Sequence, residues 1–270
     1  MTSSEAAVLG LVQGLTEFLP VSSSGHLVIM QHFLGFAEPP LTFDVSVHVG
    51  TLIAVIIAFY SDIVNLIKHP LQKTTVLIII SCIPTALIGF FFKPLFESAF
   101  ASLWVTGVGL IITGLLLWSA EQFSFSFKRI PDMSWRDALI VGTVQGIAIT
   151  PGISRSGSTI AGGLFLGLER EAAARYSFLL SIPAVLGASL LEFKDAIAET
   201  ALKGLNSLEI FPMLLGTLIA AAVGFLAVKA VVGLTKRGKL SFFAYYCWAL
   251  GFMVLIYNLL CYLGKVGPGV

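Results

Sequence analysis

The chain has 270 residues, 57% of them hydrophobic and only 11% charged, against roughly 25% charge in an ordinary soluble domain, so it carries too little polar cover for a soluble globule. Sixteen Lys and Arg against fifteen Asp and Glu leave a net charge of +1, which removes the electrostatic case for a nucleic-acid partner; the apolar content excludes disorder. What fits is an all-α polytopic membrane protein, because apolar runs of ~20 residues match a hydrocarbon layer of ~30 Å.

In chain order, the first apolar stretch, about 6–35, meets no Lys or Arg before Lys68 and so does not read as a cleaved signal peptide. Pro, Ser and Gly interrupt it in the middle. A broken stretch is tolerated at membrane depth only where it is buried in protein or lines a wet cavity, which predicts a re-entrant helix pair. Spans are predicted at about 43–62, 74–93 and 100–119, followed by a linker at about 120–136. A second broken stretch, about 137–168, predicts another re-entrant pair, and spans follow at about 172–192, 210–232 and 241–263. The expected architecture is therefore six transmembrane helices plus two re-entrant pairs in one integral membrane domain, 1–270. Cys82, Cys247 and Cys261 sit inside apolar runs without metal-ligand spacing and read as small hydrophobes.

Six crossings divide the cations unevenly. Eleven fall on one side, including Lys68, Lys73, Lys128, Arg129, Arg170 and the run Lys236, Arg237, Lys239; four, Lys93, Lys194, Lys203 and Lys265, fall on the other. The positive-inside rule makes the first side cytoplasmic, with the linker inside and both termini outside.

The two broken stretches are copies. A gapless shift of 132 positions aligns Gly10, Val12, Gln13, Gly14, Ser22, Ser24, Gly25, Phe33, Leu34 and Gly35 with Gly142, Val144, Gln145, Gly146, Ser154, Ser156, Gly157, Phe165, Leu166 and Gly167. Shared Gln, Ser and Gly in apolar surroundings exceed what common hydrophobicity produces. Each copy is a broken stretch plus three spans, about 6–119 and 137–263, and an odd number of crossings makes the second copy enter from the opposite face. Such an inverted-topology repeat places a ligand near the midplane, where helix N-termini meet anionic groups.

Chemistry concentrates in those two stretches. The first reads QGLTEFLPVSSSGH from Gln13 to His26. Gln13 and Glu17, four apart, share a helix face near its end at Pro20; Ser22, Ser23 and Ser24 offer hydroxyls and an N-cap, Gly25 permits close backbone approach, and His26 opens the next helix. The second reads PGISRSGST from Pro151 to Thr159, with the same turn but with Arg155, a fork matched to phosphate oxygens. Ionisable groups inside a span cost ~2.5–3.5 kcal/mol each on insertion scales, so this cluster needs a reason. The plain alternatives are a Glu17–Arg155 tie between repeats, a satisfied interior His26, serines that only cap, and Gln13 and Gln145 bonding helix to helix. His32, His48 and His69 lie apart from any cluster in the sequence and are expected away from the substrate, and Phe90, Phe91 and Phe92 are expected to face lipid.

QGLTEFLPVSSSGH and PGISRSGST resemble the motifs of the undecaprenyl-diphosphate phosphatase family, also called bacitracin resistance proteins. The resemblance extends over essentially the whole chain, with Gln13 as a variant of a position filled by Glu or Gln in the family. It implies hydrolysis of a C55 polyprenyl diphosphate in the bacterial cytoplasmic membrane to the monophosphate, recycling the lipid carrier for peptidoglycan. It maps a nucleophilic serine onto Ser23, a catalytic histidine onto His26, and phosphate binding onto Ser154, Arg155, Ser156 and Thr159, with Gly157 beside them. Arg155 would stabilise the transferring phosphoryl group. Glu17 would either orient His26 or, with Gln13, hold a divalent cation such as Mg²⁺ or Ca²⁺, since carboxylate, amide and phosphate oxygens suit those ions. Whether Ser23 or a water attacks stays open at this level, as does oligomeric state. SSSGH also resembles an element of phosphatidic-acid-type phosphatases, but Ala161 occupies the position where that family needs a histidine. The rival of another class is a transporter or flippase, which inverted repeats would suit, yet transport has no need of a serine beside an imidazole and a carboxylate.

Overall fold

The architecture follows from helices of two lengths. The computed structural model describes residues 1–36, 41–123, 125, 127–203, 210–236 and 239–264. Four helices that form two consecutive pairs are short: α1 (Ser3–Thr16), α2 (Ser23–Phe33), α8 (Trp135–Ile147) and α9 (Arg155–Phe165). The longest of them has 14 residues, about 21 Å at 1.5 Å per residue, and none can cross a ~30 Å hydrocarbon layer alone. Five others are long and apolar enough to cross: α5 (Lys73–Phe91), α7 (Leu103–Phe123), the Arg170–Leu191 part of α10 (Arg170–Lys203), the Ile210–Thr235 part of α11 (Ile210–Lys236), and α12 (Leu240–Tyr262). A sixth crossing is reached by joining α3 (Leu41–Ala58) to α4 (Tyr60–Lys68) across a bend of 78°. The chain is thus an all-helical polytopic membrane protein with five to six spans.

That bend falls near the end of the span expected at about 43–62. Asp62, Asn65 and Lys68 recur every three residues on one face of α4, and such a face does not enter hydrocarbon. Asp62 pairs instead with Arg175 at the start of α10, while Ile63 and Leu66 pack on the core. Phe59 leaves helical geometry at the corner and sets its ring 5.8 Å from that of Phe178. A second unexpected element is α6 (Lys93–Phe100), which opens with Pro94 and separates α5 from α7. Arg237 and Lys265, counted in the charge asymmetry, lie outside the described residues, as do the side chains of Lys194, Lys203 and Lys236.

Packing places the short pairs inside the bundle. α1 lies on α11, α8 on α5, α3 on both α10 and α11, and α7 on α12. Small residues permit these approaches: a side chain at Gly10 would meet the carbonyl oxygen of Gly216 at 2.5 Å, and one at Gly142 would meet that of Ser81. The outer faces of α1 and α8 are exposed and apolar, with Val8, Leu11 and Leu15 on the first and Ile140 and Ile147 on the second. Phe90, Phe91 and Phe92 are exposed too, as a lipid-facing stretch requires.

Candidate active site

Each short pair turns through the same local device. In the first, Ser22 caps α2 and its Oγ accepts from Gly25 N–H at 3.2 Å; in the second, Ser154 caps α9 and its Oγ accepts from Gly157 N–H at 3.0 Å. The sharp reversal needs left-handed backbone in both, at Gly152 (φ 85°) and, against the preference of a non-glycine residue, at Ser22 (φ 70°). The turns press on one another. A Cβ at Gly25 would stand 3.1 Å from Gly152 Cα, and one at Gly157 would stand 3.2 Å from Pro20 Cβ. The long helices brace them from behind: Thr113 of α7 donates to the Gly152 carbonyl at 2.9 Å, and Cys247 of α12 donates more weakly to the Pro20 carbonyl at 3.8 Å.

Glu17, at the end of α1 and 7% exposed, is the hub where the two turns meet. Its Oε1 accepts from Arg155 Nη2 at 2.6 Å; its Oε2 accepts from Ser23 Oγ at 2.6 Å and from Gln13 Nε2 at 3.0 Å. His48 Nε2 stands 4.0 Å from the same Oε2. Two buried polar atoms beside this hub lack partners, Arg155 Nη1 and Gln13 Oε1. A guanidinium donor and an amide acceptor left unmatched at one place are costly unless a ligand meets them.

His26 is held differently from expectation. Its Nδ1 lies 2.7 Å from the Ser22 carbonyl oxygen and its Nε2 lies 2.7 Å from the Tyr246 hydroxyl. Glu17 therefore does not orient this imidazole; Ser22 and Tyr246 do. The Ser23 hydroxyl is directed at Glu17 and not at this imidazole.

The remaining hydroxyls named from the motifs hold the scaffold. Ser24 Oγ is 3.3 Å from Ser22 Oγ, and Ser154 Oγ is 3.2 Å from Ser156 Oγ. Ser156 donates to the Leu19 carbonyl at 3.1 Å, tying the second turn to the first. Thr159 donates to the Arg155 carbonyl at 2.8 Å and meets Ser177 of α10 at 2.6 Å. In this structure the hydroxyls of Ser154, Ser156 and Thr159 bond protein partners, closing the turn's own backbone and its neighbours.

Residues 6–253 match the family described as bacitracin resistance protein BacA. The chain belongs to the BacA family. It is 47% identical over 256 residues to an undecaprenyl-diphosphatase of Carboxydothermus hydrogenoformans, covering 95% of this chain and 97% of that one. It is also 47% identical over 250 residues to an undecaprenyl-diphosphatase of Halothermothrix orenii, covering 92% and 95%. A third relative, the undecaprenyl-diphosphatase of Alkaliphilus metalliredigens, is 43% identical over 279 residues, covering 96% of this chain and all of that one.

The BacA match spans the residues from Gln13 to Tyr246, including one that the sequence reading set apart and one that it did not name. His48, expected to lie apart, stands at Glu17; its signal was the polar face Asp44, His48, Thr51 on an otherwise apolar helix. Tyr246 carries no such signal, since an aromatic residue in an apolar span looks like any other lipid-facing ring. His32 meets Tyr257 at 3.4 Å, at the other end of α2, and His69 ends α4. Among the described residues no three His, Cys, Asp or Glu come together as a metal cluster.

Proposed function

We propose that this chain hydrolyses undecaprenyl diphosphate to the monophosphate and inorganic phosphate at the junction of its two turns. Its substrate is a polyprenyl diphosphate drawn from the bilayer. The reaction regenerates the lipid carrier for peptidoglycan, which accounts for a link to bacitracin resistance. The observation that carries this reading is the chain Ser23 Oγ to Glu17 Oε2 and Glu17 Oε1 to Arg155 Nη2, each 2.6 Å, with Arg155 Nη1 buried and unpartnered beside it.

The terminal phosphate docks on Arg155 Nη1 and on the N-terminal N–H groups of α2 and α9, where helix dipoles favour an anion. Ser23 Oγ attacks phosphorus and its proton passes to Glu17 Oε2. The bond from that phosphorus to the bridging oxygen breaks, and the polyprenyl monophosphate leaves with the electron pair. Arg155 holds the charge spread over the transferring oxygens. A water then attacks the phosphoserine, giving its proton to the His26 site; the bond from phosphorus to Ser23 Oγ breaks, Glu17 returns its proton to that oxygen, and phosphate is released with Ser23 restored. Gln13 Oε1, an orphaned acceptor next to Glu17, fits a divalent cation, Mg²⁺ or Ca²⁺, that these two residues would hold together with diphosphate oxygens. Such an ion supplies charge neutralisation at the phosphates, and every proton step above belongs to protein groups.

Two short pairs of half-crossing length, with lipid-exposed outer faces and a polar inner junction, support re-entrant hairpins. Exchanged packing supports the inverted repeat. Gly10 meets Gly216 and Gly14 meets Val223 on α11, while Gly142 meets Ser81 and Gly146 meets Ile88 on α5. An offset of 132 relates each glycine pair, and an offset of 135 relates both Ser81 to Gly216 and Ile88 to Val223. Each repeat, about 6–119 and 137–263, thus clasps the other's equivalent helix within one membrane domain, and the linker of about 120–136 joins them. Cations gather at one end, where Lys73 reaches the Pro131 carbonyl, Lys128 meets Asp137 and Arg129 meets Glu169. That end is assigned to the cytoplasm, with both termini outside a bacterial cytoplasmic membrane.

The deciding experiment is phosphate release from a polyprenyl diphosphate by the purified protein, with acid-quenched single turnovers to trap phosphoserine at Ser23. Release with a transient phosphoenzyme is expected. Lipid translocation in liposomes without phosphate release would replace this reading with transport, and loss of release on exhaustive chelation, restored by Mg²⁺ or Ca²⁺, is the result expected of the cation.

A further inference from the structure

We infer that Tyr246, from the last long helix of the second repeat, positions His26 and relays its proton. This rests on the phosphatase reading of the site. The tautomer follows from the partners. A backbone carbonyl can only accept, so the 2.7 Å contact with the Ser22 oxygen requires Nδ1 to carry the hydrogen. The neutral imidazole then has its lone pair on Nε2, and the Tyr246 hydroxyl at 2.7 Å donates to it.

The ring planes are parallel within 5°, with centroids 5.7 Å apart, so the phenol is aligned as well as bonded. His26 itself is 9% exposed, whereas Tyr246 is 44% exposed. Its hydroxyl occupies the one basic position of the imidazole, so a proton bound for that nitrogen meets the phenol oxygen first. A water attacking phosphoserine reaches Nε2 through this hydroxyl: the phenol proton moves to Nε2 as the water's proton moves to the phenol oxygen. Tyrosine ends the step unchanged, and its oxygen now accepts from the Nε2–H of the imidazolium. Two contacts from different parts of the chain, one from the turn and one from α12, thereby fix which nitrogen is basic and where it points.

Tyr246→Phe keeps the ring and removes only the hydroxyl. It is expected to lower kcat by about ten- to a hundredfold with KM within a factor of about two. Carbethoxylation by diethyl pyrocarbonate, which attacks the free nitrogen lone pair, gives a readout independent of turnover: His26 in Tyr246→Phe should react several-fold faster than in the wild type, with exposed His69 as the internal reference in the same protein. Tyr245→Phe, one residue away, should change neither. Wild-type kcat in Tyr246→Phe, or His26 acylation at the wild-type rate, overturns the assignment. Full activity in His26→Gln would instead overturn the role of His26, and the acylation rates would still report whether Tyr246 caps it. If Tyr246→Phe melts far below the wild type, Tyr246→Gln, which keeps a donor, should retain more kcat than Tyr246→Phe; a folded Tyr246→Gln with no such gain also overturns it.

Discussion

The two turns share a backbone and differ in chemistry. Ser22 and Ser154 cap equivalent helices with Oγ at 3.2 and 3.0 Å from the third N–H, and Gly25 and Gly157 press on the opposite turn in matching ways. Where the copies diverge, the reactive groups appear. The 132-residue shift sets Glu17 opposite Ile149, Ser23 opposite Arg155 and His26 opposite Ser158. Most duplicated positions hold the fold, whereas Glu17 gathers the unduplicated Ser23 and Arg155 beside the duplicated Gln13, and His26 is held by Ser22 and Tyr246. The matched turns set two capped helix N-termini against one another, while only asymmetry places a carboxylate, a hydroxyl and a guanidinium beside them.

This division can be broken experimentally. The largest effects belong at the diverged positions: Ser23→Ala and Arg155→Ala should each cut phosphate release by about 10³-fold or more while the protein still purifies folded. Glu17→Gln should cost both activity and stability, because Arg155 would remain buried without its anion; breaking such a pair costs about 3–5 kcal/mol, visible as a lower thermal midpoint in detergent. His48→Gln should be milder, about tenfold in kcat, since the imidazole stands 4.0 Å from Glu17 and acts through it; a loss as large as that of Ser23→Ala would place His48 among the reacting groups.

Smaller effects test the duplicated scaffold. Gly142→Ala drives a methyl group into the Ser81 carbonyl and should destabilise by about 1–3 kcal/mol, with the same sign for Gly10→Ala against Gly216, as measured by thermal unfolding. Ser154→Ala removes a cap worth about 1 kcal/mol and should leave kcat within a few-fold. If Ser154→Ala silences the protein as Ser23→Ala does, the division between scaffold and chemistry fails.

Composition and periodicity determine a good deal here without coordinates. Helices too apolar for water, two broken stretches, a repeat and the residues Gln13, Glu17, Ser23, His26 and Arg155 are all local in the chain, and local patterns survive in a one-dimensional reading. The break at Phe59 is not legible in the sequence because the contact beyond it, Asp62 with Arg175, joins residues far apart. The same holds for the partners of the reactive groups. Which oxygen takes the Ser23 proton, that His48 leans on Glu17, and that Tyr246 rather than a carboxylate holds His26 depend on distances between helices separated by up to 220 residues. Hydrogen bonds are decided within a fraction of an ångström, and only the packing of α1, α2, α3, α9 and α12 around one point sets those distances.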